Sequence, residues 1–270
     1  MRGVKLLVIA GILTVVISVV LITASAMLST KYIPLSMAKD DYRPPAASWL
    51  NGDPSWISKH WTLFNMISAG SSLVMALIAL FCTSYGRALV ENRIGDPDIS
   101  MAFLCIEAAA MLGFHLVWSS ALDWRYHKIP RWALVMHMIL QVLITVACLQ
   151  LSTNFKFYTL SVVLTSIMCW LLGTVPGSGM SDGRLYVIAA STSIPFLGVG
   201  CWLPVVVAAV AAIINAVVST FTGGAVVHAE RQTKKSLGKR LLTAKSPMGP
   251  FISVSFTILF MIYTTGLLVW

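Results

Sequence analysis

The chain has 270 residues, of which 57% are hydrophobic and only 11% charged; its mean hydropathy is +0.83 and its net charge +9. A soluble domain carries about 25% charged residues, so the composition excludes a water-facing globule. The positive excess is therefore read as membrane topology rather than as a nucleic-acid surface, and the chain as an integral membrane protein.

Apolar runs recur at about 4–28, 62–85, 100–122, 132–151, 158–175, 185–200, 203–222 and 250–270. A helix crossing the hydrocarbon core needs about 20 such residues. These runs predict an all-α, polytopic membrane protein of about eight transmembrane helices. The first run follows Arg2 and Lys5 and contains Thr23-Ala24-Ser25-Ala26, whose small residues also fit a signal-peptidase site. Residues 29–61, rich in Pro and Trp, read as an interfacial loop. The run at 185–200 is short and holds Ser191, Thr192, Ser193 and Pro195, so it needs cover from neighbouring helices.

Basic residues sort by side from residue 123 onward. Arg125, Lys128 and Arg131, then Arg184, then six more between 228 and 248 fall on one face, against Lys156 alone on the other. The positive-inside rule makes the first face cytoplasmic. Counting back through eight spans puts the N-terminus outside, whereas Arg2 and Lys5 favour the inside; the sequence leaves both open. The basic run from Arg231 to Lys245 is expected to meet anionic lipid, each charge contributing about 1 kcal/mol near the surface. A sharper reading makes it a docking surface for an acidic part of a substrate or assembly partner.

Acids are scarce, and from residue 123 to the end they are only Asp123, Asp182 and Glu230. Glu230 lies in the basic loop. Asp123 and Asp182 each fall where an apolar run meets the cytoplasmic face. An ionised carboxylate at the centre of a spanning helix costs about 2.5–3.5 kcal/mol, and less near the interface. Two that converge can share a proton, one acting as base on a water and the other as acid. Helix capping, or pairing with Arg125 and Arg184, is the structural alternative. Glu107 lies mid-span, about 24 Å of helix from Asp123, and reads as a buried, hydrogen-bonded structural residue.

Other chemistries find little support. The five cysteines (Cys82, Cys105, Cys148, Cys169, Cys201) lie in apolar stretches without a Cys-x-x-Cys pair and read as small core residues. The histidines His60, His115, His127, His137 and His228 are scattered, with no His-Glu-x-x-His. Gly179-Met180-Ser181-Asp182-Gly183 formally matches a nucleophile elbow, but no strand precedes it.

Three segments carry a resemblance: Asp123-Trp124-Arg125-Tyr126-His127-Lys128-Ile129-Pro130, Gly179-Met180-Ser181-Asp182-Gly183-Arg184-Leu185 and Ser246-Pro247-Met248-Gly249-Pro250-Phe251. In this order they resemble the type IV prepilin peptidases, GxGD-type membrane aspartyl proteases. That family shows an Asp six residues before Ile-Pro, then Gly-x-Gly-Asp-x-Lys-Leu, then a Pro-Phe-Gly-Pro-like stretch opening the last helix.

The resemblance covers residues 100–270. It implies a six-helix protease core there, with residues 1–99 as extra spans and the interfacial loop. It implies that Asp123 and Asp182 are catalytic and remove the basic leader of prepilin-like proteins at the cytoplasmic face of the plasma membrane, without metal or organic cofactor. Gly179 would shape the turn that delivers Asp182, and Gly249 and Pro250 match positions of structural rather than catalytic character. Pilus assembly proteins are further expected partners. Ser181 replaces the family's glycine and Arg184 its lysine. Residues 29–61 lack the cysteine pairs of the bifunctional members, which implies the short, peptidase-only form of Tad/Flp-type pili, without methyltransferase activity. The alternatives are a proton- or cation-coupled transporter and a catalytically inactive relative.

Overall fold

The computed structural model describes residues 2–28, 56–91, 99–126, 129–150, 155–172, 180–197 and 248–264, with Leu203, Val206, Val207, Ala209, Val210 and Ile214 as single helical positions. The described residues are all-helical, without a strand. The helices are α1 (Arg2–Leu28), α2 (Trp56–Lys59), α3 (Trp61–Cys82), α4 (Ser84–Glu91), α5 (Ile99–Tyr126), α6 (Arg131–Gln150), α7 (Phe155–Leu172), α8 (Met180–Leu197) and α9 (Met248–Thr264). Three stretches, Val8–Leu28, Trp61–Cys82 and Ile99–Trp124, are long and apolar enough to cross a membrane. Apart from those single positions, the expected run at 203–222 lies outside the described residues, as do residues 29–55 of the expected 29–61 loop, whose remainder holds α2 and the start of α3, and residues 228–247 of the basic 228–248 loop.

Polarity runs inside out relative to a soluble domain. Ile9, Leu13, Val16 and Val20 of α1 and Leu160, Val163, Leu164, Ile167 and Leu171 of α7 face outward, as expected of helices solvated by hydrocarbon. Ser68, Ser72, Ser119, Thr145 and Thr192 point into the bundle. Without a hydrophobic driving force between helices, close packing and hydrogen bonds must hold them together.

Helix α5 is the centre of the molecule and packs against α1, α3, α4, α6, α8 and α9. Its sequence explains why. Ala108, Ala109, Ala110 and Gly113 give it a low surface along which other backbones approach closely. A Cβ on Gly113 would lie 2.6 Å from the Ser71 carbonyl oxygen and 2.7 Å from Met75 Cγ. Ser72 Oγ donates to the Ala110 carbonyl oxygen across the same crossing, at 2.8 Å.

Helix α3 stops at Cys82, earlier than its apolar run suggested. Thr83 turns extended at φ −78°, ψ 156°, its hydroxyl donates to the Ala79 carbonyl oxygen at 2.5 Å, and it accepts the Gly86 N–H at 3.0 Å. A threonine in that position caps a new helix, so α4 begins as a separate element. Cys105 Sγ packs 3.7 Å from the same hydroxyl oxygen. Cys105 is thus a core residue as expected, whereas Cys82 faces outward.

Contacts along the helices fix relative direction. Trp61 stacks near Trp118, with ring centroids 6.2 Å apart, and Thr83 reaches Cys105, so α3 is antiparallel to α5. Gly11 of α1 lies beside Leu80 and Leu89, while the Ile22 carbonyl oxygen accepts from His137 Nε2 at 3.0 Å. Helix α1 therefore runs parallel to α5, and its Arg2 end is opposite the Asp123 end. Counting spans gives the same relative direction for these two helices. Within α1, Thr23, Ser25 and Ala26 are buried against the bundle.

The short polar run in α8 receives the cover its composition demanded. Leu185 to Ile194 are all buried, and Thr192 and Ser193 hydroxyls return to the carbonyl oxygens of Ala189 and Ala190 at 2.7 and 2.9 Å.

Candidate functional site

Asp123 lies in the last turn of α5, where the helix leaves carbonyl groups unpaired and offers no backbone donor of its own. Its side chain is nonetheless buried, at 6% exposure. The missing donor comes from another helix: the Gly249 amide donates to Asp123 Oδ2 at 2.6 Å, across 126 residues of sequence. Gly249 is the second residue of α9, so its N–H is among the first four of a helix, which have no intrahelical acceptor. The positive end of the α9 dipole thus meets a carboxylate, the favourable sense. A bond of this length has the character of a charge-assisted one.

One turn deeper, the same two helices are clasped again. Ser253 Oγ donates to the His115 carbonyl oxygen at 3.1 Å and Ser119 Oγ to the same oxygen at 2.7 Å, with the two hydroxyls 3.4 Å apart. Gly249 and Ser253 form a small-xxx-small step, which explains how α9 comes close enough for a backbone bond.

Asp182 is in the first turn of α8 and half-buried, a position in which an acid is stabilised by the helix dipole. Helix α8 packs against both α5 and α9. The three surround an apolar gap lined by Met111 and His115, Leu185 and Ile188, and Ile252 and Phe256. Leu185 is about 4.5 Å of helix beyond Asp182, and Ile252 about 4.5 Å beyond Gly249. Both aspartates and the α9 start therefore occupy one end of this three-helix junction. Arg131, opening α6, and Arg184, a buried residue of α8, lie near enough to repel one another, so the starts of α6 and α8 share that end too. Ile129 is buried, and Pro130 leads into α6 with a Leu134 N–H bond to its carbonyl oxygen at 3.2 Å. Gly179, His127, Lys128, Ser246 and Pro247 lie outside the described residues.

A second polar group, unread in the sequence, occupies the middle of the bundle. His115 Nε2 and His137 Nδ1 are 3.1 Å apart. The Ile22 carbonyl oxygen can only accept, so His137 Nε2 carries a proton; with the ring neutral, Nδ1 accepts from His115 Nε2–H. His115 Nδ1 is then left as an acceptor, and among the described residues it is buried without a hydrogen-bond partner. Phe114, Trp118 and Trp61 close around the two rings.

Farther from Asp123, Gln141 Nε2 donates to Thr145 Oγ1 at 3.1 Å. Glu107, 2% exposed, interacts with the Gln141 side chain, yet among the described residues neither carboxyl oxygen receives a well-formed hydrogen bond. The expected burial of Glu107 is met, and the expected hydrogen bonding only in this weak form. The sequence signal for this group was the i, i+4, i+8 series His137, Gln141, Thr145 on one face of α6. Among the described residues, no group of three His, Cys, Asp or Glu side chains could hold a metal ion.

Compared with protein-family models, curated proteins and solved structures, the chain matches none of them.

Proposed function

We propose that this chain is a membrane aspartic endopeptidase that removes the basic leader of prepilin-like proteins at the cytoplasmic face, with Asp123 and Asp182 as the catalytic pair. In this reading residues 100–270 form a six-helix protease core within about eight spans of a multi-pass plasma-membrane protein. The observation that carries it is the junction of α5, α8 and α9. The three segments of the sequence resemblance, far apart in the chain, belong to helix ends that pack together, with Gly249 bonded to Asp123.

The chemistry needs one ionised and one protonated carboxyl. The ionised aspartate takes a proton from water as its oxygen bonds to the scissile carbonyl carbon, and the other aspartate protonates the carbonyl oxygen. The tetrahedral diol then collapses: the aspartate that took the water's proton gives it to the leaving nitrogen, the other, now ionised, takes back a hydroxyl proton, and the C–N bond breaks to release the carboxylic product. The pair titrates as a unit. Partners in this reading are the prepilin substrate, pilus assembly proteins and anionic lipid along 228–248.

The test is co-expression with a Flp-type prepilin, read as loss of the leader by gel shift. Wild type is expected to process it, and Asp123→Asn and Asp182→Asn to leave it intact while still accumulating in the membrane. Cleavage surviving both substitutions refutes the assignment.

A second reading, ion-coupled transport, is favoured by one observation, the burial of several titratable side chains within the bundle, the His115–His137 pair and, apart from it, Glu107 beside Gln141. It requires proton or cation flux in vesicles that Glu107→Gln abolishes and Asp123→Asn spares.

A further inference from the structure

Gly249 does more than allow two helices to touch. An added Cβ would lie 3.0 Å from Asp123 Cβ, 3.1 Å from Asp123 Oδ2 and 3.1 Å from the Ser119 carbonyl oxygen. Two of these three neighbours belong to the aspartate itself, and the third is backbone, which cannot swing aside. A Cβ there would press on the carboxylate, which would have to give by a few tenths of an ångström. The amide of the same residue holds Oδ2 at 2.6 Å. One residue thus supplies the donor and the clearance, while Ser253, one turn along α9, anchors the helix to the His115 carbonyl oxygen.

We propose that Gly249 is a positioning residue for Asp123: its backbone N–H fixes the carboxylate's orientation, and its missing side chain leaves the carboxylate room to adopt it. The proposal rests on the peptidase reading for its catalytic consequence, but the contact itself is testable without it. A carboxylate on a freely rotating side chain samples several orientations, and only some aim an oxygen at a water between two acids. Near-attack geometry is sensitive, with a 1 Å misplacement able to remove roughly 100-fold in rate.

Two variants separate positioning from packing. Gly249→Ala keeps the N–H and adds the Cβ; Ser253→Ala removes the neighbouring clasp and leaves Asp123 untouched. In purified protein with a prepilin substrate, Gly249→Ala is expected to lower kcat by up to about 100-fold, with KM nearly unchanged and the pH profile of kcat displaced. Ser253→Ala is expected to lower the thermal midpoint while kcat and its pH profile stay as in wild type. If both variants lose activity only in proportion to lost stability, with the wild-type pH profile, Gly249 is a packing residue and the proposal falls.

A second measurement does not depend on activity or on either variant folding. In wild-type protein labelled with 15N-glycine, the Gly249 amide proton is expected far downfield, and to move upfield in Asp123→Ala. A Gly249 resonance indifferent to that change overturns the contact itself. Absence of cleavage by wild type with the resonance shift present removes the peptidase reading and the catalytic role with it, but leaves the contact standing.

Discussion

The molecule holds two buried carboxylates in opposite ways. Asp123 sits at a helix end, and the unpaired amides opening another helix lie within reach; Glu107 sits in the middle of the same helix, where every nearby backbone N–H is already used. Asp123 therefore receives a backbone hydrogen bond at 2.6 Å, whereas Glu107 has the Gln141 side chain beside it and, among the described residues, no well-formed hydrogen bond. The difference is a property of helices: donors are free in the first turn and nowhere else. In a bundle that excludes water, an acid to be held by a backbone donor belongs where helix termini meet, as Asp123 does at the start of α9; Asp182 lies in the first turn of α8.

The contrast can be broken most severely by disturbing the helix crossing on which both regions depend. Gly113→Leu places a branched side chain where a Cβ alone would already lie 2.6 Å from the Ser71 carbonyl oxygen. Forcing α3 from α5 is expected to destabilise the fold by about 3 kcal/mol, the upper part of the overpacking range, read as a lowered thermal midpoint in detergent.

A smaller effect is expected from the mid-bundle group. His137→Phe removes the link from Ile22 through His137 to His115 and leaves the buried His115 Nε2–H without its acceptor, while the Ile22 carbonyl oxygen keeps the Ser25 hydroxyl at 2.7 Å. The loss should be about 1–3 kcal/mol, while leader cleavage by the surviving folded protein is unchanged. Loss of cleavage at full stability would join the two regions functionally and end the contrast.

The smallest change is Ser181→Gly, which restores the glycine of the resembled motif beside Asp182. Ser181 is the second residue of α8, where glycine costs about 0.5–1 kcal/mol of helix stability, so a slightly lowered thermal midpoint with cleavage retained is expected. A serine nucleophile, by contrast, would be lost altogether, so retained or abolished cleavage separates the two chemistries.

The helices were legible because length and hydropathy are local properties: α1, α3, α5, α6, α7, α8 and α9 coincide with apolar runs seen in the sequence. Asp123, Asp182 and Gly249 stood out because acids are scarce and the motif order is informative. What could not be read was pairing. His115 and His137 looked scattered because nothing local in either segment names its partner. The Ala108–Ala110 and Gly113 surface of α5 looked like an ordinary apolar stretch, and its meaning emerged only with α3 lying on it. The break at Thr83 was hidden because the apolar run continued past it, while the threonine hydroxyl competed locally for backbone partners.

The central claim is that Asp123 and Asp182 meet, and disulfide cross-linking measures this most directly. In a variant with the five native cysteines replaced by serine or alanine, Asp123→Cys and Asp182→Cys would be combined and oxidised in native membranes. A thrombin site placed in the 151–154 connection would report the bond as two fragments held together until reduction. The account predicts efficient cross-linking for this pair and none when the second cysteine is placed at Leu197, at the far end of α8. Fragments that separate without reductant, with both thiols open to modification, would contradict it.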